Sequence, residues 1–270
     1  MGKDADRVAR DRLRRIVRWQ DLVAMRPADG FVECLHPLPW LGLSWWAHAQ
    51  GWWPLGIAAA FMFFLTALRL NHEAIHRSLG FGRGGHLAVL HGLSFLMTGS
   101  NHAVAFNHMH HHAHVGEPDD HEGACGRMSM GKVLLFGPLF PFQMHWFAWT
   151  RGKPETRRRM AIDGGLNALM LALLLVPGLE FLRWHVALMI VAQCMTAFFA
   201  VWITHHDCED GLFMARTQRS RLVNLLSYNM FFHLEHHLFP AVPVKRLARL
   251  ADRIDAAVPA YAIQARRVLG

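Results

Sequence analysis

Residues 54–76 read PLGIAAAFMFFLTALRLNHEAIH. Seventeen residues, Pro54 to Leu70, are apolar apart from Thr66 and Arg69, and a histidine-bearing polar tail follows at once. A bilayer span needs about 20 mostly apolar residues, so this stretch predicts a membrane helix that extends beyond the bilayer. His72 and His76 lie four apart in that extension, which puts them on one face of a helix. A membrane span that delivers paired imidazoles to the membrane surface is the pattern to trace through the rest of the chain.

Three other segments resemble it in apolarity. They run over about 35–53, 162–182 and 184–204, so the expected fold is all-α, with about four transmembrane helices in two hairpins. Pro37, Pro39 and His48 make the first of these the weakest. The Trp-rich, uncharged turn near Gln50–Pro54 suits a membrane interface. Segments 86–106 and 133–149 carry histidines, glycines or prolines, and are expected to be interfacial or re-entrant. After Pro243, apolar residues recur at three and four with Lys245, Arg246, Arg249 and Arg253 between them, the pattern of a basic amphipathic helix on the membrane surface.

The whole composition agrees. Of 270 residues, 53% are hydrophobic and 18% charged, which excludes a disordered chain. Four Cys without a C-x-x-C pair exclude a disulfide scaffold and a cysteine zinc ribbon. The net charge is +8. The basic residues cluster beside apolar segments instead of interleaving with aromatics, so nucleic acid is not the expected partner. The clusters are Lys3 to Arg26, Arg151 to Arg159, and Arg216 onward. By the positive-inside rule they place both termini and the histidine-rich cap on the cytoplasmic side. The expected division is a basic N-terminal segment, 1–34, and a membrane domain, 35–270. The N-terminal segment does not read as a cleaved signal, being long, charged and without an adjoining apolar core.

The most unusual number is 20 His, of which sixteen fall within 72–121 and 205–237. His108, His111 and His112 are spaced i, i+3, i+4, and His233, His236 and His237 repeat the spacing. His205 and His206 end the last apolar segment. Neutral imidazole is a ligand for Fe, Zn, Cu and Ni, and this many histidines on one membrane face suffice for two ions. Glu73, Asp119, Asp120, Asp207 and Glu235 are candidates for accepting a hydrogen bond from the second nitrogen of a ligand histidine. His102, His110, His114 and His121 are expected to support the ligands or to face solvent. His72 to His76 also matches H-E-x-x-H, the zinc hydrolase signature, with Asp210 as a possible third ligand. That reading leaves both H-x-x-H-H boxes unexplained. A non-catalytic metal-binding membrane module is the alternative from outside enzymology.

These boxes resemble those of the membrane fatty acid desaturase superfamily, marked by H-x(3–4)-H, H-x(2–3)-H-H and [HQ]-x(2–3)-H-H motifs between transmembrane hairpins. The run HLEHHLFPAVP at 233–243 is similar to its third box and tail. The run HHAHVGEPDDH at 111–121 resembles the second box of its carotenoid hydroxylase and ketolase branch as well as that of desaturases. The likeness covers roughly 35–250. It implies an O₂-dependent oxidoreductase acting on C–H bonds of a lipid chain, foremost a fatty acyl desaturase, with carotenoid or lipid hydroxylation as the alternative. It implies two irons held by His72, His76, His108, His111, His112, His233, His236 and His237, which are also the implied catalytic residues, with a further His from the fourth span. His205 is the first choice there and His206 the second. No His-Pro-Gly-Gly signature of a fused cytochrome b5 is present, so a separate ferredoxin, rubredoxin or cytochrome b5-type donor is implied.

Overall fold

The computed structural model describes residues 3–208, 211–265 and 267–268, with the side chains of 3–7, 262 and 263 left aside. Asp210, the possible zinc ligand of the hydrolase reading, and the Lys3 and Arg7 side chains lie outside the described residues. Among the described residues the chain is helical, with one isolated β-bridge between Thr217 and Arg267. It divides into two compact units: one of 26–110 and 135–196, the other of 1–25, 111–134 and 197–270.

The first unit is built around the helix Trp53–Ile75. Proline within its first turn, where the amide would lack a partner anyway, sets its start. Its buried face, Phe63, Phe64, Ala67 and Leu70, packs with Leu41, Leu90, Leu93, Met97 and Met189. The helix Pro37–Ala49 packs against it through the Gln50–Trp52 turn, where Gly51 takes φ +74°. The segment expected to span 35–53 is therefore a helix of 13 residues. At 1.5 Å per residue that is about 20 Å, short of a ~30 Å hydrocarbon core. The segment expected at 162–182 is likewise shifted. Its helix runs over Pro154–Leu173, begins among the basic residues and stops before Pro177 and Gly178 (φ +86°). Among the described residues, two helices, Trp53–Ile75 and Phe181–His205, are long and apolar enough to cross a membrane.

The 86–106 region is two helices, Arg83–Met97 and Asn101–His114. The break has a cause. Thr98 takes the left-handed conformation, φ 56°, and Gln193 donates to the carbonyls of Met97 and Thr98 at 2.8 and 3.1 Å. Carbonyls exposed by the break are thereby satisfied. The 133–149 region also divides, into Met130–Phe136 and Phe140–Arg151.

A close backbone approach occurs at Gly30, where a Cβ would lie 2.0 Å from the Leu79 carbonyl oxygen. Backbone cannot yield as a side-chain tip can. Gly30→Ala is expected to destabilise the protein by roughly 1–3 kcal/mol, read as a lowered midpoint in thermal melts of detergent-solubilised protein.

The other unit has its own core. Leu13, Val17 and Leu22 from the N-terminal segment pack with Phe232, Leu234, Leu238 and Phe239 and with Leu247, Leu250 and Ile254 of the helix Val244–Ala257. That helix is the basic amphipathic one read from the sequence, and two of its arginines are engaged within the protein. Arg253 binds Asp21 through both nitrogens at 2.7 and 2.8 Å, and Arg246 donates to the carbonyls of Leu22 and Ala24 at 2.9 and 2.6 Å.

Candidate metal centre

In the first unit, His72 lies in the last turn of Trp53–Ile75 and His76 caps its end. His108 comes from Asn101–His114. A ligand nitrogen of each lies within 4.8 Å of those of the other two, and Nε2 of His76 faces Nε2 of His108 at 3.0 Å. Burial, and secondarily His108, pushes the His76 pKa down to about 3. His76 is thus a neutral imidazole at physiological pH, the form that binds metal. Glu73, between the two histidines, is buried and accepts from the Ser78 hydroxyl at 2.7 Å.

In the other unit the second-box residues His111 and His112 meet the third box. The short helix His233–Leu238 buries His233, His236 and His237 together. His112 Nε2 faces His236 Nε2 at 2.9 Å. His205 Nε2 lies 3.3 Å from His111 Nε2 and 2.9 Å from His233 Nε2, and His233 lies 3.1 Å from His237. His111, His205 and His237 form one buried trio of potential ligands.

The opposite edges of two of these rings decide what the cluster can hold. The Nδ1–H of His205 donates to the Met214 carbonyl at 2.8 Å, and that of His111 donates to the Asp120 carboxylate at 2.9 and 3.0 Å. Neither acceptor offers a proton, so each Nδ1 carries one and each neutral ring turns a bare Nε2 lone pair inward. Two bare lone pairs 3.3 Å apart repel each other, and either a proton on one ring or a cation between them relieves this. The convergence of His111, His205 and His237 nitrogens within 4.8 Å of one another is a donor set that fits a metal ion.

Asp120 stabilises this arrangement. Burial opposes charge on His111, yet the Asp120 hydrogen bond and the charges of Glu122 and Asp120 outweigh it and raise the His111 pKa. Burial would raise Asp120, but the His111 hydrogen bond and charge and the Gly123 amide hold it below the usual carboxylate range. A more basic imidazole is a better donor to metal. Gly123 leaves the needed room, since a Cβ there would lie 2.1 Å from the Asp120 Oδ2. His237 is held well below its ordinary pKa by burial first, then by His112, His233, His205 and His111. Asp120→Asn is expected to lower metal affinity by about 10–100-fold, measured by competition with a chelator, with the fold retained by circular dichroism.

A match to the fatty acid desaturase family model covers residues 49–267. The chain belongs to the fatty acid desaturase family. It is also 24% identical over 261 residues to a protein of Glycine max named omega-3 fatty acid desaturase, chloroplastic, covering 80% of this chain and 56% of that relative. The chain therefore spans little more than half the length of the curated relative it matches. No solved structure matches. Family membership accounts for all three boxes, which the H-E-x-x-H hydrolase reading does not.

The desaturase-family chain distributes its other polar residues differently from one another. His206 turns from the cluster, stacking on Trp202 at 4.1 Å and meeting Asp207 at 2.8 Å. Of the five candidate carboxylates, Asp120 pairs with a box histidine. Glu235 instead pairs with Arg219 at 2.8 Å and accepts from Thr217 at 2.7 Å, which anchors the third-box helix from behind. Asp119 is exposed. His110 packs on Phe106 and Phe147, His114 and His121 are half-buried, and His102 pairs with Asp163. The Met214 carbonyl was not legible in advance, because any residue type presents a carbonyl.

Proposed function

We propose that this chain is a membrane-bound, O₂-dependent oxidoreductase that desaturates a fatty acyl chain. The observation that carries the reading is the convergence of the Nε2 atoms of His111, His205 and His233, in a chain of the fatty acid desaturase family. Two irons, one at His72, His76 and His108 and one at His111, His205, His233 and His237, with His112 and His236 completing the donor set, agree with the donor chemistry. Iron supplies the O₂-activating redox chemistry that no amino-acid side chain provides. The chain's own residues do the rest. Buried imidazoles hold the donor atoms away from water, and Asp120 and the Met214 carbonyl fix which nitrogen of each ring faces inward. The overall conversion turns –CH₂–CH₂– plus O₂, two electrons and two protons into –CH=CH– plus two waters.

The electrons come from a separate ferredoxin, rubredoxin or cytochrome b5-type protein, and the substrate from the membrane lipid. The basic clusters argue that both termini and the histidine-rich region face the cytoplasm. The test is expression in a host with a competent reductase and O₂, followed by mass spectrometry of fatty acids and by elemental analysis of purified protein. New unsaturated chains and about two irons per chain are expected. One zinc and no iron would reject the reading, whereas oxidised pigment in a β-carotene-producing host would move the substrate to carotenoids.

A further inference from the structure

Asp163 sits in the helix Pro154–Leu173 with no exposed surface, within an otherwise apolar stretch. Its carboxylate oxygens meet Nδ1 of His91 at 2.6 Å and Nδ1 of His102 at 3.0 Å, and the Ser100 hydroxyl donates to it at 2.6 Å. The two imidazoles lie 4.3 Å apart between ring centres. No Lys or Arg pairs with Asp163 among the described residues. Three hydrogen-bond donors satisfy its oxygens, and a cation here would add the charge compensation that neutral donors lack.

Two sources are available, an imidazolium or a metal ion. His102 is 3% exposed and its Nε2 has no hydrogen-bond partner. As an imidazolium it would bury a charged N–H with no acceptor. A metal on the Nδ1 edge replaces the proton there, and the ring's one proton then sits on Nε2 as an uncharged N–H, which costs less to bury than a charged one. One ligand atom from each of His91, His102 and Asp163 lies within 4.8 Å of the others. The N–O separations, 2.6 and 3.0 Å, are hydrogen-bond distances, shorter than the roughly 3.3 Å edge of a tetrahedron with ~2.0 Å bonds, so the His91 and Asp163 side chains must open apart for an ion to enter.

We propose that His91, His102 and Asp163 form a site for a divalent cation of the zinc class, using none of the box histidines. Two imidazoles and a carboxylate are a donor set that zinc accepts. The three ligands come from the helices Arg83–Met97, Asn101–His114 and Pro154–Leu173, so the ion ties them together. Ser100 holds the carboxylate from the side, and its own amide donates to His145 Nε2 at 2.9 Å.

The test uses the full chain in detergent, dialysed against buffered zinc. His91→Gln and Asp163→Asn are each expected to bind about one zinc fewer than wild type by elemental analysis, and to lose the rise in melting temperature that zinc gives the wild type. Equal zinc content in wild type and folded His91→Gln would overturn the site in favour of a protonated His–Asp network. If neither variant folds, crystals of the zinc-loaded wild type decide. Anomalous density among His91, His102 and Asp163 supports the site, and its absence there overturns it, whatever the boxes contain. The result is independent of whether the boxes hold iron.

Discussion

Replacing His205 by alanine is expected to abolish lipid oxidation, with a loss above about 100-fold, while His206→Ala stays within a few-fold of wild type. The two are adjacent and chemically identical, so only their surroundings separate them. His205 has its Nδ1 held by the Met214 carbonyl and its Nε2 aimed at His111 and His233. His206 stacks on Trp202 and meets Asp207. Losing a group that merely supports a ligand costs 10–100-fold in metal affinity or activity, and losing the ligand itself costs more. The check is product formation per bound iron in matched membrane preparations. His206→Ala as damaging as His205→Ala would remove the basis for choosing between them.

The largest stability effect is expected at Glu33→Ala. Glu33 and Arg69 are both buried and directly ion-paired, and Arg69 lies one turn before His72 on the same helix. Removing the carboxylate strands a guanidinium in the interior, which costs about 3–5 kcal/mol. For a chain of this size that is a fall of roughly 6–20 °C in melting temperature. Because desolvation offsets much of the attraction in such a pair, the double variant Glu33→Met with Arg69→Met is expected to recover most of the loss. Differential scanning fluorimetry in one detergent compares all three proteins. A single variant as stable as wild type, or a double variant no better than the single, would contradict the pairing energetics.

Much of the candidate site was legible because its signal is local. The spacing of His108, His111 and His112, and of His233, His236 and His237, needs only helical geometry to share a face. The apolar runs that became Trp53–Ile75 and Phe181–His205 stood out for the same reason. Element ends were less legible. The Pro37–Ala49 helix falls short of its apolar stretch, and the 86–106 stretch breaks at Thr98, where Gln193, nearly a hundred residues away, caps the exposed carbonyls.

By itself the sequence determined the helical class, the apolar runs that became the two candidate membrane helices and the three histidine boxes, since hydropathy and periodicity act over neighbouring residues. Tertiary structure alone decided which partner each polar group received. Asp120 was drawn to His111 and Glu235 to Arg219, while Asp163, a lone carboxylate in an apolar run, became the meeting point of two distant histidines. The physical reason is that a hydrogen bond or ion pair depends on atoms within about 3 Å, and chain folding, not spacing along the chain, brings those atoms together.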